Sequence, residues 1–474
     1  MGMLTSVKQW LVIHLMFAIT FFTSGLIINF FQCVLYLGLR PFSKYLYRKI
    51  NYYLCYSFYC QLVFMAEWWA GSDLILYIDK KDFDKYFGNE HGYLLMNHSY
   101  ETDWLIGWLL CDRVRLLGNC KAYAKKSIQY IPTLGWAWKF AESIFLERSW
   151  EKDKENIKTQ IKELVEYPDT MWLLLYPEGT RFTLKKLEAS QKFAIEKGLP
   201  VLKYHLTPRT KGFTASIPHM RGKATAIYDI QIAFKPSDPV KPTMRNLLFG
   251  KRLEGHMYAK RIPIEEVPEG DEAAAEWLQK LYQQKDRMTE SFYETGDFFA
   301  KSGVPRTDSF RLKRRYYSLI NTICWAIVVL VPMLYYLVRL LLSGSIFGIT
   351  IGVGVIFVCK YYSDGTGRSS YDQTYNNDNS DNYGKQQEQD CVTQCFFNEL
   401  NLVDQRGFPE QVSIIQFMTR NIHNPELQDF IEEAVIECFH YLGSDMRQNK
   451  CYFSENLLAC LVDKGKERCE DWDD

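Results

Sequence analysis

Two short segments hold residue types able to do chemistry together: Asn97-His98-Ser99-Tyr100-Glu101-Thr102-Asp103 and, further along, Tyr176-Pro177-Glu178-Gly179-Thr180-Arg181. The first offers a base with a carboxylate near it. Five helical steps put His98 and Asp103 on different faces, so one straight helix does not pair them. A histidine at the end of a strand Gly92–Met96, with Asp103 in the first turn of the next helix, does. Asp103 then fixes the imidazole tautomer and stabilises the imidazolium. The chain has no G-x-S-x-G elbow, so the proton His98 takes comes from a substrate. The bland alternative is a structural histidine beside a helix-capping aspartate. In the second segment Gly179 lets backbone approach a ligand closely, and Arg181 can grip a phosphate with two parallel hydrogen bonds. Its bland alternative is an ordinary turn with a surface ion pair. Both segments in this order, each after an apolar strand, read as acyl transfer onto a phosphate-bearing acceptor.

The elements that must position these residues lie between two apolar stretches. Residues 61–310 have globular composition. Apolar runs at Gly92–Met96, Met171–Tyr176 and Ala226–Phe234 predict strands, and polar stretches at Lys152–Glu166 and Ala273–Tyr293 predict helices. Their alternation predicts an α/β catalytic domain, a mixed sheet flanked by helices. Residues 1–60 read as an N-terminal membrane anchor, since Trp10–Leu39 is almost uncharged and longer than the roughly 20 residues that cross a bilayer. Gly25 and Gly38 leave room for a bend into two shorter helices. Arg40, Lys44, Arg48 and Lys49 follow the run and only Lys8 precedes it, which places the domain in the cytosol. Residues 311–360 read as a membrane hairpin, Ser318 to Cys359, divided at Ser343-Gly344-Ser345. Residues 361–390 contain no aliphatic side chain and read as a disordered linker.

The zero formal net charge conceals an asymmetry: residues 391–474 sum to −9, 361–390 to −4, and the first 360 to +13. A basic body suits anionic lipid and polyanionic co-substrates, and no run of basic residues interleaved with aromatics points to nucleic acid. Seven of the 13 cysteines lie before residue 361, scattered among apolar residues without metal-site spacing. No residue constellation suggests a metal.

These motifs resemble the 1-acylglycerol-3-phosphate O-acyltransferase family, in its gamma and delta branch, over residues 8–358. His98 and Asp103 match the family's N-H-x4-D block. Ile144-Phe145-Leu146-Glu147-Arg148 falls where the second block ends in arginine, and Pro177–Arg181 matches the E-G-T-R block. Gly198–His205 leads into the fourth block. Trp68-Trp69 and the run Pro208-Arg209-Thr210-Lys211-Gly212-Phe213 point to the branch. The resemblance implies a multi-pass enzyme of the endoplasmic reticulum membrane. It implies transfer of an acyl group from acyl-CoA, a co-substrate and not a bound cofactor, to the sn-2 hydroxyl of lysophosphatidic acid, giving phosphatidic acid. His98 would be the base and Asp103 its partner. Glu178, Gly179, Thr180 and Arg181 would bind substrate, with Arg148, Lys125 and Lys211 as further contacts and backbone amides around Gly179 as oxyanion donors. Two other functions stay open: an acyltransferase for another lysophospholipid, and a non-catalytic lipid- or odorant-binding fusion. Asn97-His98-Ser99 is also a glycosylation sequon, expected to stay unmodified because it overlaps the base on the cytosolic side.

Residues 391–474 carry the other six cysteines, Cys391, Cys395, Cys438, Cys451, Cys460 and Cys469. Their spacing resembles insect odorant-binding proteins, small all-α disulfide-stapled domains, here incomplete because the first cysteine is missing. By that analogy Cys391 pairs with Cys451 and Cys438 with Cys460, leaving Cys395 without its usual partner. A disulfide domain behind a cytosolic hairpin is inconsistent, since thiols stay reduced there. The chain therefore reads as two unrelated coding units joined, by natural fusion or faulty gene prediction. A segment that crosses the membrane only once removes the conflict by placing the tail in the lumen.

Overall fold

The computed structural model describes residues 8–147, 149–223, 226–342, 392–400, 402–404, 406–420, 425–442 and 450–468. Two compact units divide the chain, residues 1–371 and 372–474.

The first unit is built on one eight-stranded mixed sheet. In chain order its strands are β1 (Asp73–Tyr77), β2 (Gly92–Met96), β3 (Cys120–Lys125), β4 (Ile144–Leu146), β5 (Trp172–Leu175), β6 (Ala226–Ala233), β7 (Glu254–Pro263) and β8 (Ser309–Arg311). Its helices are α1 (Leu11–Gly38), α2 (Lys44–Phe64), α3 (Lys80–Tyr86), α4 (Asp103–Arg113), α5 (Leu134–Phe140), α6 (Trp150–Leu164), α7 (Leu184–Glu196), α8 (Thr210–Met220), α9 (Met244–Leu248), α10 (Asp271–Thr295) and α11 (Tyr317–Leu342). The strand order is β4-β3-β5-β2-β6-β7-β1-β8, parallel from β4 to β6, with antiparallel pairings at β6–β7 and β1–β8. All three strands and both helices predicted from the apolar pattern form, to within a residue or two at each end.

The two-residue period of a strand sorts β2 between two cores. Leu94 and Met96 face α2 and α4, in a cluster with Phe58, Leu105 and Leu109. Tyr93 and Leu95 face α6, α8 and α10, in a cluster with Ile161, Phe213 and Leu278. Burial on both faces explains why this strand is an unbroken apolar run.

The structure corrects the reading of Gly25 as a bend. α1 is one continuous helix of 28 residues, about 42 Å at 1.5 Å per residue. A Cβ at Gly25 would sit 2.8 Å from the Phe58 ring and 2.9 Å from Thr133 Cβ, so the glycine lets α1 press against α2 and the loop before α5. Both ends of α1 meet the catalytic unit. Just before its start, Lys8 donates to the Trp69 carbonyl and lies over that ring. Just beyond its end, Arg40 pairs with Glu142 at 3.1 Å.

The cations expected to set topology are largely ion-paired. Arg48 meets Glu142 at 2.8 Å and Lys44 meets Glu163 at 3.2 Å. Burial pushes the Glu142 carboxyl up, but Arg48 and a hydrogen bond from it outweigh that and hold it below the usual carboxylate range.

Among the described residues two helices are long and apolar enough to cross a membrane, α1 and residues 317–340 of α11. α11 docks on α2 through polar contacts: Asn321 Nδ2 donates to the Ser57 carbonyl at 2.8 Å and Trp325 Nε1 to Ser57 Oγ at 2.9 Å. The second half of the expected hairpin and the linker at 361–390 lie outside the described residues.

The second unit is helical, with α12 (Val392–Glu399), α13 (Gln411–Thr419), α14 (Pro425–Leu442) and α15 (Lys450–Arg468) around a core that includes Phe397, Val435 and Phe453. Cys438 and Cys460 form the disulfide that the odorant-binding resemblance implies. Cys391 lies outside the described residues, so its pairing does too.

Gly25→Val should lower the unfolding stability by about 1–3 kcal/mol, because overpacked contacts force the facing side chains off their rotamers. A Cβ at Gly38 meets nothing within 4 Å, and Gly38→Ala should leave the melting temperature unchanged or slightly raised. Thermal unfolding in detergent compares the two.

Candidate active site

Parallel pairing sets β2 beside β5 with Leu95 opposite Leu175. His98 and Glu178 both lie three residues beyond that pair, so the two strands deliver them side by side. Asn97 ends the ladder between them and β6. Its Nδ2 donates to the Ile232 carbonyl at 2.9 Å, and its Oδ1 accepts the Ile232 N–H at 2.7 Å. A side-chain amide thus replaces the peptide group the next strand residue would supply. Asn97 is 1 % exposed, so the folded sequon offers no free amide for glycosylation.

His98 leaves the strand end half-buried, and Asp103 opens α4 fully buried. His98 Nδ1 lies 3.3 Å from Asp103 Oδ2, and the same oxygen accepts the Tyr100 N–H at 2.7 Å. An Nδ1–H pointed at a carboxylate leaves Nε2 as the basic atom. The longer N–O distance suits a resting site that tightens when substrate binds. The imidazole stacks on Tyr176, with ring centroids 4.3 Å apart and planes 24° from parallel.

Glu178 departs from its expected role among the substrate contacts. It is 2 % exposed, and both carboxylate oxygens hold backbone: Oε1 accepts the His98 N–H at 2.9 Å and Oε2 accepts the Leu206 N–H at 3.3 Å. The Phe182 N–H closes the same junction by donating to the His98 carbonyl at 2.7 Å. Glu178 therefore clamps the base's backbone and does not face a ligand.

Gly179 adopts φ of 71°, a conformation that costs residues with a Cβ. Its N–H donates to the Tyr176 carbonyl at 2.9 Å within the turn, which withdraws it from the expected oxyanion role. A Cβ there would also come 2.9 Å from Arg209 Cδ, so the missing side chain opens the path along which Arg209 crosses the turn. The Arg209 N–H donates to the Pro177 carbonyl at 2.7 Å. Arg209 and Arg181 are both exposed, and neither guanidinium has an ion-pair partner among the described residues. In the sequence Arg209 marks only the branch. Its place here follows from chain folding between residues 198 and 209, which no local pattern announces. Thr180 Oγ1 accepts from Lys186 Nζ at 2.8 Å.

Lys125 ends β3, two strands from β2 across β5, and Lys211 is exposed near the start of α8 with Nζ 5.5 Å from the Trp150 ring centroid. Arg148 lies outside the described residues. Beneath the strand end, a narrow apolar cavity between the sheet and α4 is lined by Met96, Trp104, Trp108, Leu174 and Met257, with buried Lys121 among its walls.

Burial pushes both site carboxyls above their ordinary range. For Asp103 it outweighs the hydrogen bonds from His98 and the Tyr100 N–H; for Glu178 it outweighs the His205 charge and the two amides it accepts.

Family models match in three places: Acyltransferase at residues 80–228, Acyltransferase C-terminus at 246–325, and the PBP/GOBP family at 361–464. Among named relatives, 1-acyl-sn-glycerol-3-phosphate acyltransferase gamma of Mus musculus is 42% identical over 346 residues, 73% of this chain and 89% of the relative. The chain belongs to the 1-acyl-sn-glycerol-3-phosphate acyltransferase family. The delta form of Homo sapiens is 40% identical over 353 residues, 74% of this chain and 90% of the relative. A solved 1-acyl-sn-glycerophosphate (LPA) acyltransferase from Thermotoga maritima is 13% identical, covers 58% of this chain and 95% of its own, and superposes with a TM-score of 0.36. All members of the His98–Asp103 and Pro177–Arg181 blocks fall inside the Acyltransferase match.

Asp103→Asn tests the cost of the buried charge. A carboxyl whose folded pKa is raised contributes stability below its unfolded value and loses it as pH rises through the folded one. The melting temperature of Asp103→Asn minus that of the wild type should therefore grow by a few degrees from about pH 4 to about pH 7. Turnover should fall at least about tenfold over that range, because the amide no longer fixes the imidazole.

Proposed function

We propose that this protein transfers an acyl group from acyl-CoA to the sn-2 hydroxyl of lysophosphatidic acid, forming phosphatidic acid at the endoplasmic reticulum membrane. The observation that carries this reading is the His98–Asp103 pair beside the Gly179 turn, which Arg209 crosses and exposed Arg181 follows in the chain. His98 Nε2 takes the proton as the acceptor hydroxyl attacks the thioester carbonyl, and Asp103 stabilises the imidazolium that forms. The tetrahedral intermediate collapses with departure of the CoA thiolate, which receives the proton from His98 or from water. No covalent acyl-enzyme is needed. Arg181 binds the acceptor phosphate, with Arg209 beside it, and Lys125, Lys211 and Arg148 are further anion contacts for phosphate or CoA. With the Gly179 amide engaged in its turn, the Thr180 and Arg181 amides are the donors available to the oxyanion. The cavity between the sheet and α4 admits the first carbons of the acyl chain.

Membranes containing the protein, given labelled acyl-CoA and a panel of lysophospholipids, test the reading. Lysophosphatidic acid should be the preferred acceptor; equal or better use of another headgroup would make the enzyme an acyltransferase of that lipid. His98→Ala should cut turnover by about 10²–10⁴-fold while membrane insertion is unchanged. Arg181→Ala should mainly raise the acceptor KM, by about tenfold to a hundredfold, the loss of hydrogen bonds to a charged group. Full turnover in His98→Ala would refute His98 as the base, and no turnover of any acceptor by the wild type would leave the chain a lipid-binding fusion.

The tail's disulfide favours an oxidising compartment. With α11 as a single crossing, the tail faces the lumen. Protease added to sealed microsomes should leave the tail intact and digest it once detergent opens them; digestion without detergent would place it in the cytosol.

A further inference from the structure

Behind Glu178 lies a second imidazole–carboxylate pair that the transfer reaction does not use. His205, 1 % exposed, sits in the loop between α7 and α8. Its Nδ1 is 3.2 Å from Asp286 Oδ1 on α10, and its Nε2 is 3.1 Å from Gln231 Nε2 on β6. The glutamine side chain meets Nε2 on one side of the ring, and Asp286 meets Nδ1 on the other. Asp286 also accepts the Lys203 N–H at 2.9 Å and the Tyr204 N–H at 2.7 Å, which fastens residues 203–205 to α10. The next residue is Leu206, whose N–H holds Glu178 Oε2. The other oxygen of that carboxylate holds the His98 N–H.

A single route of hydrogen bonds therefore runs from α10 through the 203–206 loop and Glu178 to the backbone of the base. Its members come from segments far apart in sequence, and His205 is the point where the loop is held from two sides, by α10 and by β6. Glu178 is buried and must keep both amides engaged to stay in place. A loop that shifted would withdraw the Leu206 amide and free the carboxylate to rotate away from His98.

We propose that His205 is a positioning residue for the transfer reaction: gripped between Asp286 and Gln231, it holds the Leu206 amide against Glu178 and so fixes the height of the His98 ring over Tyr176. This rests on His98 being the base. A ring displaced by an ångström loses turnover on the order of a hundredfold while the substrate sites keep their shape. His205→Leu should therefore lower kcat by at least about tenfold, with KM for acyl-CoA and for the acceptor within about twofold of wild type. His205→Asn, whose amide can occupy the Nδ1 position and donate to Asp286, should recover most of the lost kcat.

A double-mutant cycle separates positioning from general damage to the fold. Once Glu178→Gln has weakened the clamp, adding His205→Leu should lower kcat by less than about threefold further, since the two act through one path. The same cycle is run with Asp286→Asn, which keeps the side chain's size, so that poor folding of His205→Leu does not leave the matter undecided. Effects that multiply in the double variants, or that fall on KM and not on kcat, would overturn the proposal. Loss of turnover in His98→Ala alongside multiplying effects would reject only the positioning role. Retained turnover in His98→Ala would reject the base assignment itself.

Discussion

The parallel register of β2 against β5 is the constraint on which the site depends. Leu95 opposite Leu175 brings out His98 and Glu178 at equal distances past their strands, and a carboxylate then ties the two exits together. A slip of one residue would exchange the faces of the whole strand, moving Leu95 into the core that holds Leu94 and turning His98 away from Tyr176. Such a slip is opposed twice, by burial on both faces and by the Asn97 amide locked to Ile232. The catalytic geometry thus starts from sheet packing, and the 203–206 loop completes it by holding Glu178 through the Leu206 amide.

The unit places carboxylates where burial disfavours their charge and compensates each differently. Glu142 has Arg48 against it and stays readily ionised. Glu178 has two backbone amides, and Asp103 has one amide and the base. The first arrangement stabilises the fold at neutral pH, because its contribution is present above the ordinary carboxylate range. The other two work against the fold there and persist because they order the base. Strain of that kind gathers where chemistry is done.

Much of this was legible in the chain. The His98–Asp103 pairing follows from five-residue spacing after an apolar strand, and the α/β class follows from alternating periods. The fate of Glu178 was not legible, since a carboxylate inside a glycine turn reads as a ligand contact until its two amide partners, 80 and 28 residues away, are known. Distance in sequence also hid the His205–Asp286 pair, 81 residues apart, and the stacking of Tyr176 on the base. Gly25 misled for a different reason: a glycine in an apolar helix serves bending and close approach equally well, and only the neighbouring Phe58 and Thr133 decide between them.

A rod fastened at both ends cannot swivel. With Lys8 gripping Trp69 at one extremity of α1 and Arg40 gripping Glu142 at the other, the apolar rod and the sheet turn as a single piece. The tilt of the site relative to the lipid is then a property of the protein and not of a flexible tether. Whatever docks at the site then meets the imidazole at one elevation and one angle that the sheet sets.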